Sequence, residues 1–297
     1  MTQLASLSAK RLIGESRLSR AVDEQVECTS VLPLEGNLFQ ISFCAPEISR
    51  RAQPGEFAQI WVEESHIPLL RRPFSFSRTD PETGEVSFYV GAVGEGSRRL
   101  QRFAPGMPAR ILGPLGQGFT LPDRPGRSVL ISGGLGAAPF PLLTQVLLDR
   151  GEQVVWINGA RTATELYPQE LVPPGVDQMI RLTEDGSSGI LGRVTVGLAS
   201  HLSQAQRAYA CGPNQMLAAV FRSLADLSGR LATAPALEVS IEAPMGCGFG
   251  TCLGCAVPVG DIDGDHPVLG LCCRQGPVFL ASMLDWERLL TQPAHLE

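Results

Sequence analysis

One run near the carboxyl end, Met245-Gly-Cys-Gly-Phe-Gly-Thr-Cys-Leu-Gly-Cys255, constrains the fold more than any other stretch. Cys247, Cys252 and Cys255 stand in a C-x₄-C-x₂-C spacing, and a fourth thiol follows at Cys272 or Cys273. That spacing is the ligand pattern of a plant-type [2Fe–2S] site. A loop wrapped around a cluster must turn tightly and aim backbone N–H groups at sulfur, and the interleaved glycines permit this. The alternative is a structural Cys₄ zinc site, which usually shows two C-x₂₋₄-C pairs. Only the first half fits, because Cys272-Cys273 is an adjacent doublet. A cluster carries single electrons, so the motif points to electron transfer.

The chain's 297 residues leave room for two or three domains, and 44% hydrophobic content with net charge −6 suits a soluble globular protein. No basic stripe with interleaved aromatics argues for nucleic acid. Five of the eight cysteines fall between 247 and 273, leaving Cys28, Cys44 and Cys211 scattered. A disulfide framework would spread its pairs, so metal ligation in a reducing compartment, the cytoplasm, is expected. The longest uncharged stretch, Ser128 to Leu148, contains Gly133-Gly134, Pro139 and Pro141, which would break a membrane-spanning helix. Residues 1–22 are basic and Ser-rich without the apolar core of a secretory signal. An organelle-targeting segment stays open there; a loosely ordered tail is the expectation.

After that tail the first hundred residues read as β-structure. Phe39, Ile41 and Phe43 alternate with polar residues, as do Val86, Phe88 and Val90, and Pro54-Gly55, Thr83-Gly84 and Pro105-Gly106 mark turns. This is the pattern of an antiparallel barrel, ending in Gly113-Pro-Leu-Gly-Gln-Gly-Phe119. From about 127 strands and helices alternate, which argues for a parallel sheet. Val129–Ile131 and Val154–Ile157 read as strands, with a helix between them presenting Leu142, Leu143, Val146 and Leu147 and closed by Gly151. Tyr209-Ala210 reads as another strand, and Asn214 is expected to N-cap the helix that follows. A Pro/Ala stretch near 232–236 marks the boundary before the cysteines.

Four further motifs bear on chemistry. Arg71-Arg72-Pro-Phe-Ser75, placed after the second barrel strand, offers an arginine fork for a diphosphate and a serine for a ring nitrogen. Gly94-Glu-Gly96-Ser97, about twenty residues on, offers backbone N–H groups and a hydroxyl to phosphate oxygens. Gly133, Gly134 and Gly136 form a glycine turn between a strand and a helix, the context of a dinucleotide phosphate turn. Cys211-Gly212-Pro213 ends another strand on the carboxyl edge, where such folds bind ligands, although the thiol reads equally well as packing. Asn158-Gly-Ala-Arg161 stands where a ribose-binding acid is usual, so residues alone do not separate NAD from NADP. The four histidines, His66, His201, His266 and His295, show no metal-ligand spacing, and Asp261, Asp263 and Asp265 read as a solvated turn.

The order of these motifs resembles the ferredoxin–NAD(P) reductase superfamily with an appended [2Fe–2S] domain. Within it the chain is most similar to the electron-transfer subunits of two-subunit, NAD-dependent dihydroorotate dehydrogenases. Arg72-Pro-Phe-Ser75, Gly113–Phe119, Thr183-Glu-Asp-Gly-Ser187, Met245–Cys255 and above all Cys273-Arg-Gln-Gly-Pro-Val-Phe279 carry the likeness, which spans roughly residues 23 to 285. The resemblance implies a barrel over 23–122 that binds FAD, an α/β parallel-sheet domain over 123–235 that binds NAD, and a [2Fe–2S] domain over 236–297. It implies FAD contacts from Arg72, Pro73, Phe74 and Ser75, from Tyr89, Val90 and Gly91, and from Gly96 and Ser97. NAD would meet Gly133, Gly134, Gly136, Cys211, Gly212 and Pro213. Cys247, Cys252, Cys255 and Cys273 would ligate the cluster, since the family's last ligand precedes Gly-Pro-Val-Phe by three residues.

The implied activity is an electron relay between NAD and an FMN-bearing partner that oxidises dihydroorotate to orotate, the two chains forming a heterotetramer of two plus two. A second reading keeps the three domains and changes the partner to that of a sulfide dehydrogenase, a ferredoxin:NADP oxidoreductase or an oxygenase reductase. A third is a zinc-stabilised nucleotide-binding protein without redox turnover.

Overall fold

A computed structural model describes residues 20–62, 69–228, 234–260 and 268–291. Most of the expected tail, His66, His266, His295, the three aspartates of the solvated turn and part of the Pro/Ala stretch lie outside the described residues. The first sheet comprises β1 (Val22–Pro33), β2 (Leu38–Cys44), β3 (Phe57–Trp61), β4 (Arg72–Ser75), β5 (Arg78–Asp80), β6 (Glu85–Gly91) and β7 (Pro108–Leu115). All neighbours are antiparallel, in the order β4-β3-β7-β1-β2-β6-β5. The period-2 alternation decides what this sheet encloses. Phe39, Ile41 and Phe43 sit opposite Val90, Phe88 and Val86, and all six are buried in one core.

The two edge strands, β4 and β5, are almost consecutive in sequence, so the chain between them closes the barrel. Phe76 N–H donates to Glu56 O at 3.3 Å on one side, and Ser77 N–H donates to Ser87 O at 2.9 Å on the other. The Arg72–Ser75 stretch, expected to follow the second strand, is itself the edge strand β4, hydrogen-bonded to β3. An edge position is where a strand tolerates Pro73, which has no N–H to donate.

The second sheet is built from β8 (Arg127–Gly133), β9 (Gln153–Ala160), β10 (Gln178–Thr183), β11 (Ile190–Leu191), β12 (Arg207–Cys211) and β13 (Ala236–Ser240). These pair in parallel in the order β11-β10-β9-β8-β12-β13. Strands covered on both faces read as near-continuous apolar runs. Val129, Ile131, Val155, Ile157 and Ala210 face one core, with Leu217, Val220 and Leu224 of the helix Asn214–Ser228. Leu130, Val154, Trp156 and Tyr209 face the other, with Phe140, Leu143 and Leu147 of the helix Phe140–Asp149. The order runs outward from β8 in both directions, so the crevice between β8 and β12 is the topological switch point.

The cysteine segment adds the ribbon β14 (Ala256–Pro258) and β15 (Leu269–Leu271), then β16 (Val278–Leu280), which lies antiparallel on β13 and completes the second sheet. Gln117 N–H donates to Gly276 O at 2.6 Å, so Gly113–Phe119 and Gly276–Phe279 meet although about 160 residues separate them. Two local expectations are corrected. The helix expected to be capped by Asn214 starts at Asn214, because Pro213 O accepts its first bond, from Leu217 N–H at 3.1 Å. The glycine turn does not open a helix directly: Gly134–Ala137 form a 3₁₀ turn and the helix begins at Phe140.

Candidate functional site

The cysteine loop turns on its own sulfurs. Thr251 and Cys252 donate backbone N–H groups to Cys247 Sγ at 3.3 and 3.4 Å, and the Cys252 thiol bonds to the same atom. Cys255 and Cys273 Sγ atoms lie 3.1 Å apart, and Cys273 N–H donates to Cys255 Sγ at 3.4 Å. The four thiols therefore stand as two pairs, Cys247 with Cys252 and Cys255 with Cys273. Among the described residues no three His, Cys, Asp or Glu side chains converge on one point. Together the four thiols are the donor set of a [2Fe–2S] centre. Cys252 is exposed and Cys247 partly so, whereas Cys255 and Cys273 are buried.

Thiolate character follows the hydrogen bonds. The bond from Cys273 draws Cys255 down to about 6 against the cost of burial, with backbone N–H donors assisting. Burial opposes the thiolate of Cys247, yet the N–H groups of Cys252 and Phe249 outweigh it and bring the pKa to about 7. Cys272 is different. Its thiol is fully buried, faces Ile241 O at 3.9 Å and is pushed up by burial.

The barrel edge beside this loop holds the second group of candidates. A Cβ on Gly96 would meet Arg72 Cγ and Nε at 3.0 Å, so the two motifs expected to share a diphosphate do lie side by side. Arg72 Nη1 also donates to Leu70 O at 2.7 Å. The helix Glu95–Gln101 leaves its first N–H groups unused by the helix itself, a ready anion cradle. Ser97 is corrected in one respect: its hydroxyl donates to Gly94 O at 3.1 Å and accepts from Gly94 N–H at 3.0 Å, closing the turn. The structure sends Val90 into the barrel core, so its backbone alone faces outward. Tyr89 points the other way, edge-on to Tyr167 with ring centroids 5.0 Å apart. Its hydroxyl is buried without a partner among the described residues, and burial raises its pKa. An orphaned hydroxyl and free helix N–H groups beside an arginine fit a flavin nucleotide.

The third group converges at the switch point. A Cβ on Gly136 would lie 2.2 Å from Cys211 O and 2.5 Å from Gly212 Cα, so the glycine turn and Cys211-Gly212-Pro213 are in direct contact. Gly91 is drawn to the same place, since its Cβ would meet Leu135 Cδ1 at 2.9 Å. The Cys211 thiol is buried and pushed up to about 12 by burial, with the nearby charge of Glu242 adding. Asn158 ties the turn to its surroundings: its Nδ2 donates to Ser132 Oγ, and its Oδ1 accepts from Tyr167 N–H, both at 2.9 Å. Arg161, where a ribose-binding acid was missing, ion-pairs with Glu165 at 2.8 Å.

Sequence reasoning missed Glu242, Tyr167 and Gln59. Glu242 follows β13 and stands near the Cys211 thiol. Tyr167 stacks obliquely on Trp156 at 5.2 Å and belongs to an aromatic seam between the sheets. Only an aromatic amid polar residues signalled it in advance. Gln59, buried in β3, gave no signal at all.

Residues 242–285 match the family model described as the iron-sulfur cluster binding domain of dihydroorotate dehydrogenase B. The chain is 35% identical over 275 residues to the dihydroorotate dehydrogenase B (NAD(+)) electron transfer subunit of Desulforamulus reducens, covering 91% of this chain and 100% of that one. It is 35% identical over 274 residues to the corresponding subunit of Bacillus caldolyticus, covering 91% and 98%. The solved structure of an NADH-dependent reduced ferredoxin-NADP oxidoreductase superposes with a TM-score of 0.74 at 25% identity, covering 90% of this chain and 92% of that one. A ferredoxin NADP+ reductase from Neisseria gonorrhoeae shares the fold, with a TM-score of 0.60 at 18% identity over 74% of this chain and 99% of the other. Among the described residues no helix is long and apolar enough to cross a membrane.

Proposed function

The chain belongs to the electron transfer subunits of dihydroorotate dehydrogenase B, an NAD-dependent oxidoreductase with a separate catalytic partner, and from that premise we propose how its own residues divide the work. The observation that carries the proposal is the juxtaposition of three candidate sites, with the cysteine loop packed against Gln59 of β3 and the glycine turn against Gly91 of β6. Bound FAD would exchange a hydride with NAD(H) and single electrons with a [2Fe–2S] cluster. The protein's part is to bind, orient and exclude water.

Arg72, with the N–H groups around Gly96 and Ser97, holds the FAD diphosphate. Pro73, Phe74 and Ser75 would contribute to the FAD site, and the Tyr89 hydroxyl with the backbone of Val90 and Gly91 would line it. The turn Gly133, Gly134 and Gly136 would take the NAD diphosphate, and Cys211, Gly212 and Pro213, in contact with that turn, would complete the NAD site. Cys247, Cys252, Cys255 and Cys273 ligate the cluster, a choice over Cys272 that the 3.1 Å approach of Cys273 to Cys255 supports. The working units are 23–122, 123–235 and 236–297, the last lending β13 and β16 to the sheet of the second. The partner bears FMN, oxidises dihydroorotate and assembles with this chain as a cytoplasmic heterotetramer. Its docking face is the apolar rim of Leu70, Phe249 and Leu253, which are 51%, 37% and 62% exposed beside the exposed thiol pair. Leu253 holds φ +61°, a strained setting for a residue with a Cβ and one that recurs at functional sites.

Two results are expected. Reconstituted with FAD, iron and sulfide, the isolated chain reduces an artificial acceptor such as ferricyanide with NADH and leaves dihydroorotate untouched. Turnover of dihydroorotate by this chain alone would contradict the division of labour. Arg72→Ala weakens FAD binding by about 10- to 100-fold, the cost of losing a charged phosphate fork, as read by flavin fluorescence on dilution. Unchanged affinity would remove Arg72 from the site.

A further inference from the structure

Gln59 is a buried polar side chain that takes no part in the three candidate sites. It is fully buried in the middle of β3, and neither Oε1 nor Nε2 has a hydrogen-bond partner among the described residues. Its neighbours Ala58 and Ile60 point into the barrel core, so alternation sends Gln59 to the opposite face of the strand. That face is covered by the cysteine loop. A Cβ on Gly248 would meet Gln59 Cγ at 2.6 Å and Nε2 at 2.7 Å, which leaves glycine, at φ +81°, as the residue that fits. Gly248 directly follows Cys247. Across the sheet Gln59 pairs with Pro73 of the edge strand β4, while Leu70, just before that strand, lies 3.9 Å from a Cβ on Gly246. The carboxamide thus stands in the seam between the strand assigned to FAD and the loop that carries the exposed thiol pair.

A buried amide without partners is retained where something absent from the protein chain completes it. We propose that Gln59 is a positioning residue that donates an amide N–H to a sulfur of the cluster on its Cys247 side and so favours the reduced cluster. The physical reason is that reduction adds negative charge to the sulfurs, and an N–H aimed at them is worth more in the reduced state than in the oxidised one. The inference rests on the cluster reading of the cysteine loop.

The test uses the full chain reconstituted with FAD, iron and sulfide, comparing wild type with Gln59→Met, which keeps the volume without the donor, and Gln59→Glu, which replaces the donor with a charged acceptor. Iron and sulfide content is measured first, then the cluster midpoint by redox titration followed by EPR. The expected result is wild-type metal content with a lower midpoint in Gln59→Met. The reduced-to-oxidised ratio at fixed potential should fall about tenfold, equivalent to about 59 mV for a one-electron couple. Gln59→Glu shifts it further in the same direction. A merely structural amide would instead lower thermal stability and leave the midpoint in place. Unshifted midpoints in cluster-bearing variants overturn the assignment of Gln59 alone, also if Gln59→Met loses the cluster while Gln59→Glu keeps it unshifted. A wild-type chain that takes up neither iron nor sulfide overturns the functional reading first, and the two failures are distinct.

Discussion

Replacing Cys273 with alanine is expected to abolish cluster binding, whereas Cys272→Ala leaves the chain brown. The two cysteines are adjacent within the short helix Cys272–Gln275, so their side chains leave the axis about 100° apart. Only one can face the loop. Cys273 Sγ lies 3.1 Å from Cys255 Sγ, while Cys272 Sγ is turned toward Ile241 O. Removing one thiolate from a four-thiolate set should drop iron and sulfide below about a tenth of the wild-type content after reconstitution. Removing the Cys272 sulfur leaves a small cavity costing about 1 kcal/mol of stability, with the visible spectrum intact. The opposite pattern would reassign the fourth ligand.

Gly136→Ala should cost about 3 kcal/mol of folding stability and greatly weaken NAD binding. The added methyl would stand 2.2 Å from Cys211 O, against backbone rather than a flexible side chain, so no rotamer relieves it. Opening that contact separates the glycine turn from Cys211-Gly212-Pro213 at the switch point between β8 and β12. Gly134→Ala, two residues away, is the matched control. Nothing lies within 4 Å of its Cβ, and only its φ of +52° opposes the change. That conformation costs an alanine about 1 kcal/mol. Denaturant unfolding separates the two, and NADH titration followed by flavin quenching reads the binding. Equal penalties would mean that the turn is not packed on β12.

Much of this architecture was legible before any coordinates because it is local. Alternation in Phe39–Phe43 and Val86–Val90 needs only the pleat of a strand to become a barrel wall, and the turns expected at Gly84 and Gly106 do carry positive φ. Strand–helix alternation after 127 foretold the parallel sheet for the same reason. What stayed hidden depends on distant parts of the chain meeting. Nothing in Val278–Leu280 announces that it pairs with Ala236–Ser240, and nothing near Gln117 announces Gly276. The helix start at Asn214 was misjudged because Gly212-Pro213 completes the turn in its place. Gln59 was missed because the significance of a polar residue in a strand lies in what covers it, and the sequence pattern records only that it interrupts an apolar run. The cysteine spacing named its cluster type, yet the Cys272-Cys273 doublet needed helix geometry before one thiol stood out.

The most direct measurement is an anaerobic titration of the purified chain with NADH, followed by visible absorbance and EPR together. The account predicts about two irons and two sulfides per chain, flavin bleaching on the first additions, and a reduced [2Fe–2S] signal growing with it as electrons pass from nicotinamide through flavin to cluster. A colourless chain that carries zinc, binds no flavin and gives no signal with NADH would contradict it.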